Sequence, residues 1–546
     1  MNSPDGAFDA DYVVVGSGSA GAIVARRLAD AGEVVTLVEA GRRRSGALVE
    51  IPGMCGAIHA ATFLQRRVTW PAYSVPQRQL DGRTLPQSHG RVLGGGSVIN
   101  GLAFVRGHRR NYDEWAADGN PGWSFDDVLP YFKRLENFED GANDYRGGSG
   151  PIGVQRATGL APATQSFMTA LAATAGVAYN DDYNGAEQQG VAALQQSAAA
   201  GRRVGTDRGY LATAPSNLRI VTNVAATRIV ITGGRAVGVE VVAGRRTRHT
   251  VRARREVIVS AGSLGSPKLL MLSGVGPAAH LRSLGIDVVA DLPVGDNLHD
   301  HLFAPISYSI PTGRSASPAR FAAALVKERF RPESTYLGHT LFEAVGFVST
   351  GLRAGPPDLQ VFILPMSYPP NQDKPGLHLA ADPAPSLTLM PTLIYPTSRG
   401  TLRLASTDPM TAPLIDPNYL ADTADVNTLV AGLELVREAM RNPAIAADGP
   451  REVLPGPGCA TRHALVDTVR RTASGVYHPV GTCRMGADER SVVDAELKVR
   501  GVDGLRVADA SIMPAIVGGN TNAAAMMIGE RASDLVLNRR DRSRPA

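Results

Sequence analysis

Apolar positions near the start of the chain fall in short blocks separated by small-residue turns. Asp11 leads into Tyr12-Val13-Val14-Val15, a run of the length of a buried strand. The run stops at Gly16-Ser17-Gly18-Ser19-Ala20-Gly21. Ala22, Ile23, Ala25 and Leu28 then recur at helical spacing and predict a helix with one buried face, closed by Gly32. A second apolar run, Val34 to Val38, predicts another buried strand and stops at Glu39. Prolines 52, 71, 76 and 86 leave few clear helices over 43–90. A helix is predicted from Trp123 to Glu136 with Ser124 as N-cap, followed by an exposed Gly/Asp/Asn-rich connection over 140–153. Strands are predicted at Leu218–Val221, Ala226–Ile231, Ala236–Val242 and 255–260. A Gly/Ser-bounded helix carrying Leu269, Leu270 and Leu272 is predicted over Gly262–Gly276.

Residues 305–450 change character. They are proline-rich, with strand-like runs at Asp358–Leu364 and Ser386–Ile394 and a helical stretch from Ala424 to Arg441. This pattern predicts a separate sheet-and-helix domain inserted into the first. The last 85 or so residues return to Gly-rich turns and a terminal helix, and 538–546 read as a solvated tail.

The opening unit carries chemistry. Strand, GxGxxG, helix, strand and acid follow one another within one βαβ unit. Gly16 permits the tight turn, Gly18 lets backbone N–H groups approach a pyrophosphate, and Gly21 lets helix and strand pack closely. The helix N-terminus favours the phosphates, and Glu39 is spaced to accept ribose hydroxyls, which disfavours a 2′-phosphate. The unit predicts a bound dinucleotide without choosing between NAD and FAD. A second glycine cluster, Gly90-Arg91-Val92-Leu93-Gly94-Gly95-Gly96-Ser97-Val98-Ile99-Asn100, marks another close backbone approach.

Composition narrows the class. The 546 residues are 44% hydrophobic and 20% charged, long enough for two or three cores. The net charge is 56 − 51 = +5, and only five of the 56 cations are lysines, with no basic run interleaved with aromatics. Nucleic acid is therefore not an expected partner. No apolar run reaches the roughly 18–20 residues of a membrane span, and the first ten residues lack the features of a signal peptide. Three cysteines (Cys55, Cys459, Cys483) form no disulfide framework. The expectation is a cytoplasmic chain, with attachment to a membrane surface left open. His299 and His301 are too few for a metal site, and none is expected. His478, in Tyr477-His478-Pro479-Val480-Gly481-Thr482, and Asn520, in Gly518-Gly519-Asn520-Thr521-Asn522, are polar side chains beside glycine turns that can share one pocket.

Over essentially its full length the chain resembles the glucose–methanol–choline family of FAD-dependent oxidoreductases. Five landmarks fall in the family's order: the first glycine motif ending at Glu39; Gly90–Asn100 continuing through Phe104 and Gly107; Gly262-Ser263 through Ser266-Pro267 to Gly276; the His478 loop; and Asp509 followed by Asn520. Val476–Thr482 and Phe342–Phe347 are most like choline oxidases and choline dehydrogenase-like members. The resemblance implies a Rossmann-like α/β FAD-binding domain with an inserted α+β substrate domain built on a mixed antiparallel sheet. Its parts are residues 1–155, 206–304 and 461–546 for the FAD domain, 156–205 as connection and 305–460 for the substrate.

The resemblance also implies residue roles. His478 is the base and Asn520 its partner. Gly16, Gly18, Gly21, Glu39, Val92, Gly95, Ser97, Asn100, Gly101, Ala103, Val224, Asp509 and Thr521 hold the cofactor. Val224 meets the adenine through its backbone, and Asp509 meets the pyrophosphate and ribityl chain. Glu343 and Tyr477 are substrate candidates, Glu343 facing a substrate cation. Ile99 stands where some members carry a histidine that tethers the flavin, which implies non-covalent FAD, with nearby His89 left open as an attachment point. The implied reaction is oxidation of an alcohol to a carbonyl. Its electron acceptor is oxygen or a quinone or protein acceptor, with a tilt toward an acceptor other than oxygen. A hydroxynitrile lyase-type non-redox flavoprotein and a non-catalytic flavin-binding protein remain as alternatives.

Overall fold

The computed structural model describes residues 9–538 except 44–45, 57–61, 245–246, 315–317, 329, 332–334 and 368–383. All but the first residue of the predicted tail lies outside the described residues. The opening pattern becomes β1 (Ala10–Val15), α1 (Gly21–Asp30) and β2 (Val35–Glu39). Every residue of β2 is buried, as a strand covered on both faces requires. β1 and β2 pair in parallel with Val15 opposite Val38. Leu218–Thr222 adds outside β2, with Thr222 opposite Glu39. On the other side of β1 runs the end of Thr247–Val259, with Val15 opposite Val259, and then Leu505–Val507. The first half of Thr247–Val259 leaves this parallel order and forms an antiparallel ribbon with Arg235–Ala243 and Val224–Thr232. Among the described residues this makes one seven-stranded sheet. The parallel strands all end at one edge, where ligands bind in open α/β sheets. Helix Asn522–Val536 packs on α1 so closely that a Cβ on Gly529 would lie 2.7 Å from the Ala20 carbonyl.

A second sheet runs in the order Arg451–Leu454, Ile306–Arg314, Ser386–Leu393, Leu359–Leu364, Ala344–Val348, Gly190–Ala193. Its pairings are antiparallel. Leu302–Phe303 pairs with Ser386–Leu393, and Ser474–Gly475 joins the sheet through Leu302–Phe303. Helices Pro162–Ala175, Thr423–Ala439 and Arg462–Thr472 cover one face, sharing an apolar core with it. Sheet membership therefore crosses the predicted divisions at 190–193 and 474–475. The pattern found Leu359–Leu364, Ser386–Leu393 and Thr423–Ala439 but not Ala344–Val348. Gly346 interrupts that strand, reading as a turn, and is there because a Cβ would press to 2.7 Å of Leu171. The Ser124 cap is as expected: its side chain accepts from Asp127 N, with a reciprocal bond from the N-cap backbone to the Asp127 carboxylate. Among the described residues no helix is long and apolar enough to cross a membrane.

Candidate active site

A cavity of about 720 Å³ opens at the carboxyl edge of the parallel strands and extends under the second sheet. Gly16, Gly18, Glu39, Gly95, Asn100, Gly101, Ala103, Val224, Asp509, Thr521, Tyr477, His478 and Asn520 all line it. Gly21, Val92 and Ser97 lie behind its wall. A Cβ on Gly21 would fall 2.0 Å from the Gly16 carbonyl, so this glycine serves the turn. Val92 packs with Val49, Val68, Val98 and Ile99 beneath the second glycine loop. Ser97 closes that loop, donating to the Gly94 carbonyl at 2.7 Å and accepting from Thr206 N at 3.0 Å.

The cavity's polar end is built to receive an anion. α1 begins without a side-chain cap, and so does Asn522–Val536, so both present first-turn N–H groups. Ser19 Oγ donates to Asn522 Oδ1 at 2.6 Å and ties the two starts together. The Cβ position of Gly18 has no atom within 4 Å, which leaves the backbone accessible from the cavity. Ser263 Oγ also lines the cavity, buried and without a protein partner. Glu39 is buried and accepts from Ser17 N, Ser17 Oγ and Gly41 N at 3.1, 2.6 and 2.6 Å. Burial raises its pKa, against the pull of those donors. Asp509 is likewise raised by burial; it accepts from Gly262 N at 2.9 Å, Ser266 Oγ at 2.5 Å and Ser511 N at 2.8 Å.

The other end carries the paired polar groups. Segments 299–303 and 474–480 run antiparallel, with Phe303 opposite Ser474 and His299 opposite Val480. Val476 N donates to the His301 carbonyl at 3.3 Å. From 476 to 480 the second segment takes four steps where the first takes two, so Tyr477-His478-Pro479 bulges from the ladder toward the cavity. Tyr477 stands at φ 63°, left-handed for a bulky residue. Asp300 holds it there: Asp300 Oδ1 accepts from His478 N at 2.7 Å and Oδ2 from Tyr419 Oη at 2.6 Å. Asn520 Nδ2 lies 3.2 Å from His478 Nε2, and Gln360 Nε2 donates to Asn520 Oδ1 at 3.2 Å. Burial pulls the His478 pKa down to about 3, so the ring is a neutral base rather than a cation.

The N-terminal model of the GMC oxidoreductases matches residues 10–303, and their C-terminal model matches 396–529. The chain belongs to the GMC oxidoreductase family. It is 39% identical over 545 residues to the oxygen-dependent choline dehydrogenase of Brucella ovis, covering 97% of this chain and 96% of that one. It is 37% identical over 543 residues to an alcohol dehydrogenase [acceptor] of Pseudomonas putida, with the same coverage. The pyridoxine 4-oxidase of Mesorbium loti superposes with TM-score 0.86 at 28% identity, covering 98% of this chain and all of that one.

The GMC family's cofactor is FAD, and the residues present fit it. The two uncapped helix starts, the open Gly18 backbone and the unpartnered Ser263 hydroxyl suit a pyrophosphate, and Glu39 beside Val224 suits an adenosine. Glu343 is a correction. It does not line the cavity, because its carboxylate is spent on Ala161 N, Thr164 Oγ1 and the Arg314 guanidinium at 2.8, 2.6 and 2.7 Å. His299 and His301, considered as a metal pair, send their rings to different partners: His299 Nε2 accepts from Ile516 N, and His301 faces His478. Among the described residues no three metal-ligating side chains converge. Sequence reasoning missed Ser17, which clamps Glu39, and Arg203, which holds Asn100 Oδ1 at 2.7 Å and its carbonyl at 2.8 Å. It also missed Asp300 and Gln360, and weighed His301 only as half of a metal pair. Only long-range pairing brings these to the site, so no local pattern marks them.

Proposed function

We propose that this GMC oxidoreductase oxidises an uncharged, largely apolar alcohol at its CH–OH carbon, with His478 as base and Asn520 orienting the alcohol oxygen. When bound, FAD supplies the hydride acceptor. His478 Nε2 takes the hydroxyl proton, and the Asn520 amide N–H steadies the oxygen as charge develops on it. The observation that carries the reading is the His478–Asn520 pair, 3.2 Å apart and set in an apolar wall. Phe303, Leu341, Phe342, Phe362, Leu364, Met390 and Val476 belong to one cluster and line the cavity. Among the described lining residues the carboxylates are Glu39 and Asp509, both at the end read as the cofactor's. A substrate cation therefore has aromatic faces but no counter-charge there, whereas an apolar alcohol gains by burying itself. Identity to the choline dehydrogenases supports choline as the second reading.

We further propose that FAD is held without a covalent bond. Ile99 is buried at the position where a tethering histidine stands in some members. His89 lines the cavity with its Nδ1 unpartnered, so acid precipitation is the check. Flavin released into the supernatant supports the reading, and flavin retained on the protein overturns it. The substrate class is tested by anaerobic titration with benzyl alcohol, a medium-chain alkanol and choline. Bleaching of the flavin band by the uncharged alcohols is expected; bleaching by choline alone overturns the class, and a bound flavin that no alcohol bleaches favours a lyase-type or non-catalytic protein. Readmitting air then separates the acceptors. Fast recovery of the band means oxygen, and slow recovery a quinone or protein acceptor.

A further inference from the structure

We propose that His301 is a positioning residue: it fixes His478 in the tautomer whose Nε2 is bare and faces Asn520. The inference rests on the reading of His478 as base. It begins at the Ile394 carbonyl, which accepts hydrogen bonds and cannot donate them. His301 Nε2 lies 3.0 Å from that oxygen and therefore carries a hydrogen. The His301 ring is fully buried, and burial holds its pKa well below the ordinary histidine value, so it is neutral and has one ring proton. His301 Nδ1 is then a lone pair. It lies 3.0 Å from His478 Nδ1, with the two rings nearly perpendicular at 89°. One of these nitrogens must donate, and only His478 can. The neutral His478 ring thus has its proton on Nδ1, leaving Nε2 to accept from Asn520. Gln360 completes the order by donating to Asn520 Oδ1. Hydrogen bonds run one way, from Gln360 through Asn520, His478 and His301 to the Ile394 carbonyl.

This arrangement also serves the proton once it moves. The alcohol O–H bond breaks and its proton joins His478 Nε2. With FAD bound as the acceptor, the carbon–hydrogen electron pair would leave as hydride while the C=O bond forms. His478 is then an imidazolium, and its Nδ1–H···Nδ1 bond to His301 becomes charge-assisted. A carboxylate commonly holds the catalytic histidine in this place. Here Asp300 is adjacent, but its oxygens are taken by the His478 backbone N–H and by Tyr419, so a neutral imidazole does the orienting. The titratable and charged groups around the pair are Asp300, His299, Tyr419 and Tyr477, with Arg399 acting on His299, and the Val517 carbonyl also faces His301.

The first test reads the tautomer in the holoenzyme labelled with ¹⁵N-histidine, identifying His478 by the signals lost in His478→Gln. A protonated Nδ1 with a bare Nε2 is expected, and the opposite assignment overturns the proposal. The second compares His301→Leu, which has no acceptor, with His301→Asn, whose Oδ1 can take the His478 Nδ1–H. Anaerobic flavin reduction is measured across pH at equal flavin content. His301→Leu should lose about 10²-fold or more. Its acid limb should move to lower pH, because the imidazolium has lost its acceptor. His301→Asn should recover most of the rate. A wild-type rate in His301→Leu, or equal loss in both variants, overturns the proposal; if His301→Leu takes up no FAD, the tautomer measurement decides alone. His478→Gln reports on the underlying reading separately, since wild-type reduction in that variant removes the base assignment whatever His301 does.

Discussion

Gly95 and Gly18 meet at the floor of the cavity: a Cβ on Gly95 would stand 2.7 Å from the Gly18 Cα, and Gly95 itself sits at φ 54°. The two glycine loops, read from the sequence as separate approaches, are in fact pressed against each other. The contact separates two substitutions. Gly18→Ala meets no protein atom within 4 Å, so the fold should tolerate it while the new methyl invades the cofactor's space. Gly95→Ala strains the backbone as well, at a cost on the order of 1 kcal/mol or more. The visible-to-ultraviolet absorbance ratio should fall several-fold in both purified variants. The melting temperature of the flavin-free protein should drop only for Gly95→Ala. Full flavin in Gly18→Ala would show that its backbone is not approached by the cofactor.

The strained Tyr477 depends on Asp300. Removing that carboxyl in Asp300→Ala leaves the His478 N–H and the Tyr419 hydroxyl without their buried acceptor, at a cost of about 2–4 kcal/mol. Burial raises the Asp300 pKa to about 7, so near neutrality the protonated form is already populated. Asn resembles that form, with Oδ1 for the His478 N–H and Nδ2 toward Tyr419. Urea unfolding at pH 7 should place Asp300→Asn within about 1 kcal/mol of wild type and Asp300→Ala well below it. Equal losses would mean that the charge, not the hydrogen-bond pattern, holds the bulge.

What was legible in the sequence is what is local. β1, α1, β2 and Glu39 follow from apolar runs and three glycines because one βαβ unit contains its own logic. The Ser124 cap is written in four consecutive residues. The candidate site was legible only where a glycine turn accompanies the polar residue, as at His478 and Asn520. His301 and Gln360 carry no such mark: their partners lie 177 and 160 residues away and are set by sheet pairing. The strand Gly190–Ala193 was invisible for the same reason, since its partner is Ala344–Val348. Glu343 was misplaced because a sequence shows a carboxylate but not the arginine that engages it.

Buried neutral histidines set the response to acid. Burial lowers His89 to about 4 and His299 and His478 to about 3, and holds His301 well below the ordinary histidine value. The unfolded chain takes up these protons near pH 6.5, where the folded chain does not. Stability from these groups is full above about pH 6.5 and is lost as the pH falls toward the folded values, at roughly 1.4 kcal/mol per pH unit for each histidine. Asp300 opposes the trend between about 7 and 4, since its raised value makes the folded chain the better proton acceptor there. Glu39 and Asp509, also raised by burial, oppose it too, so the histidine share is read as a difference between variants: the urea midpoint should fall more steeply between pH 7.5 and 5.0 in wild type than in a protein lacking one of these rings. His299→Asn should be less stable at pH 7.5 but flatter across that range. Equal slopes in wild type and His299→Asn would mean that this ring titrates in the folded protein.

Glu343 offers the sharpest contrast between what the sequence implies and what the fold does. A carboxylate facing a substrate cation would affect KM for choline and little else. The observed carboxylate instead joins Ala161 N, Thr164 Oγ1 and Arg314, with Glu343 buried and Arg314 partly exposed. Glu343→Ala leaves one backbone N–H, one hydroxyl and one guanidinium without their acceptor, and partial access of water to Arg314 moderates the loss to about 2–3 kcal/mol. Glu343→Gln keeps an oxygen for Ala161 N and should lose less. Neither variant should alter the ratio of kcat/KM values between an apolar alcohol and choline by more than about twofold, because the side chain does not reach the cavity wall. Unfolding midpoints and a two-substrate kinetic comparison on the same preparations read both quantities. A stable variant with selectively weakened choline turnover would return Glu343 to the substrate site and overturn the uncharged-alcohol reading with it.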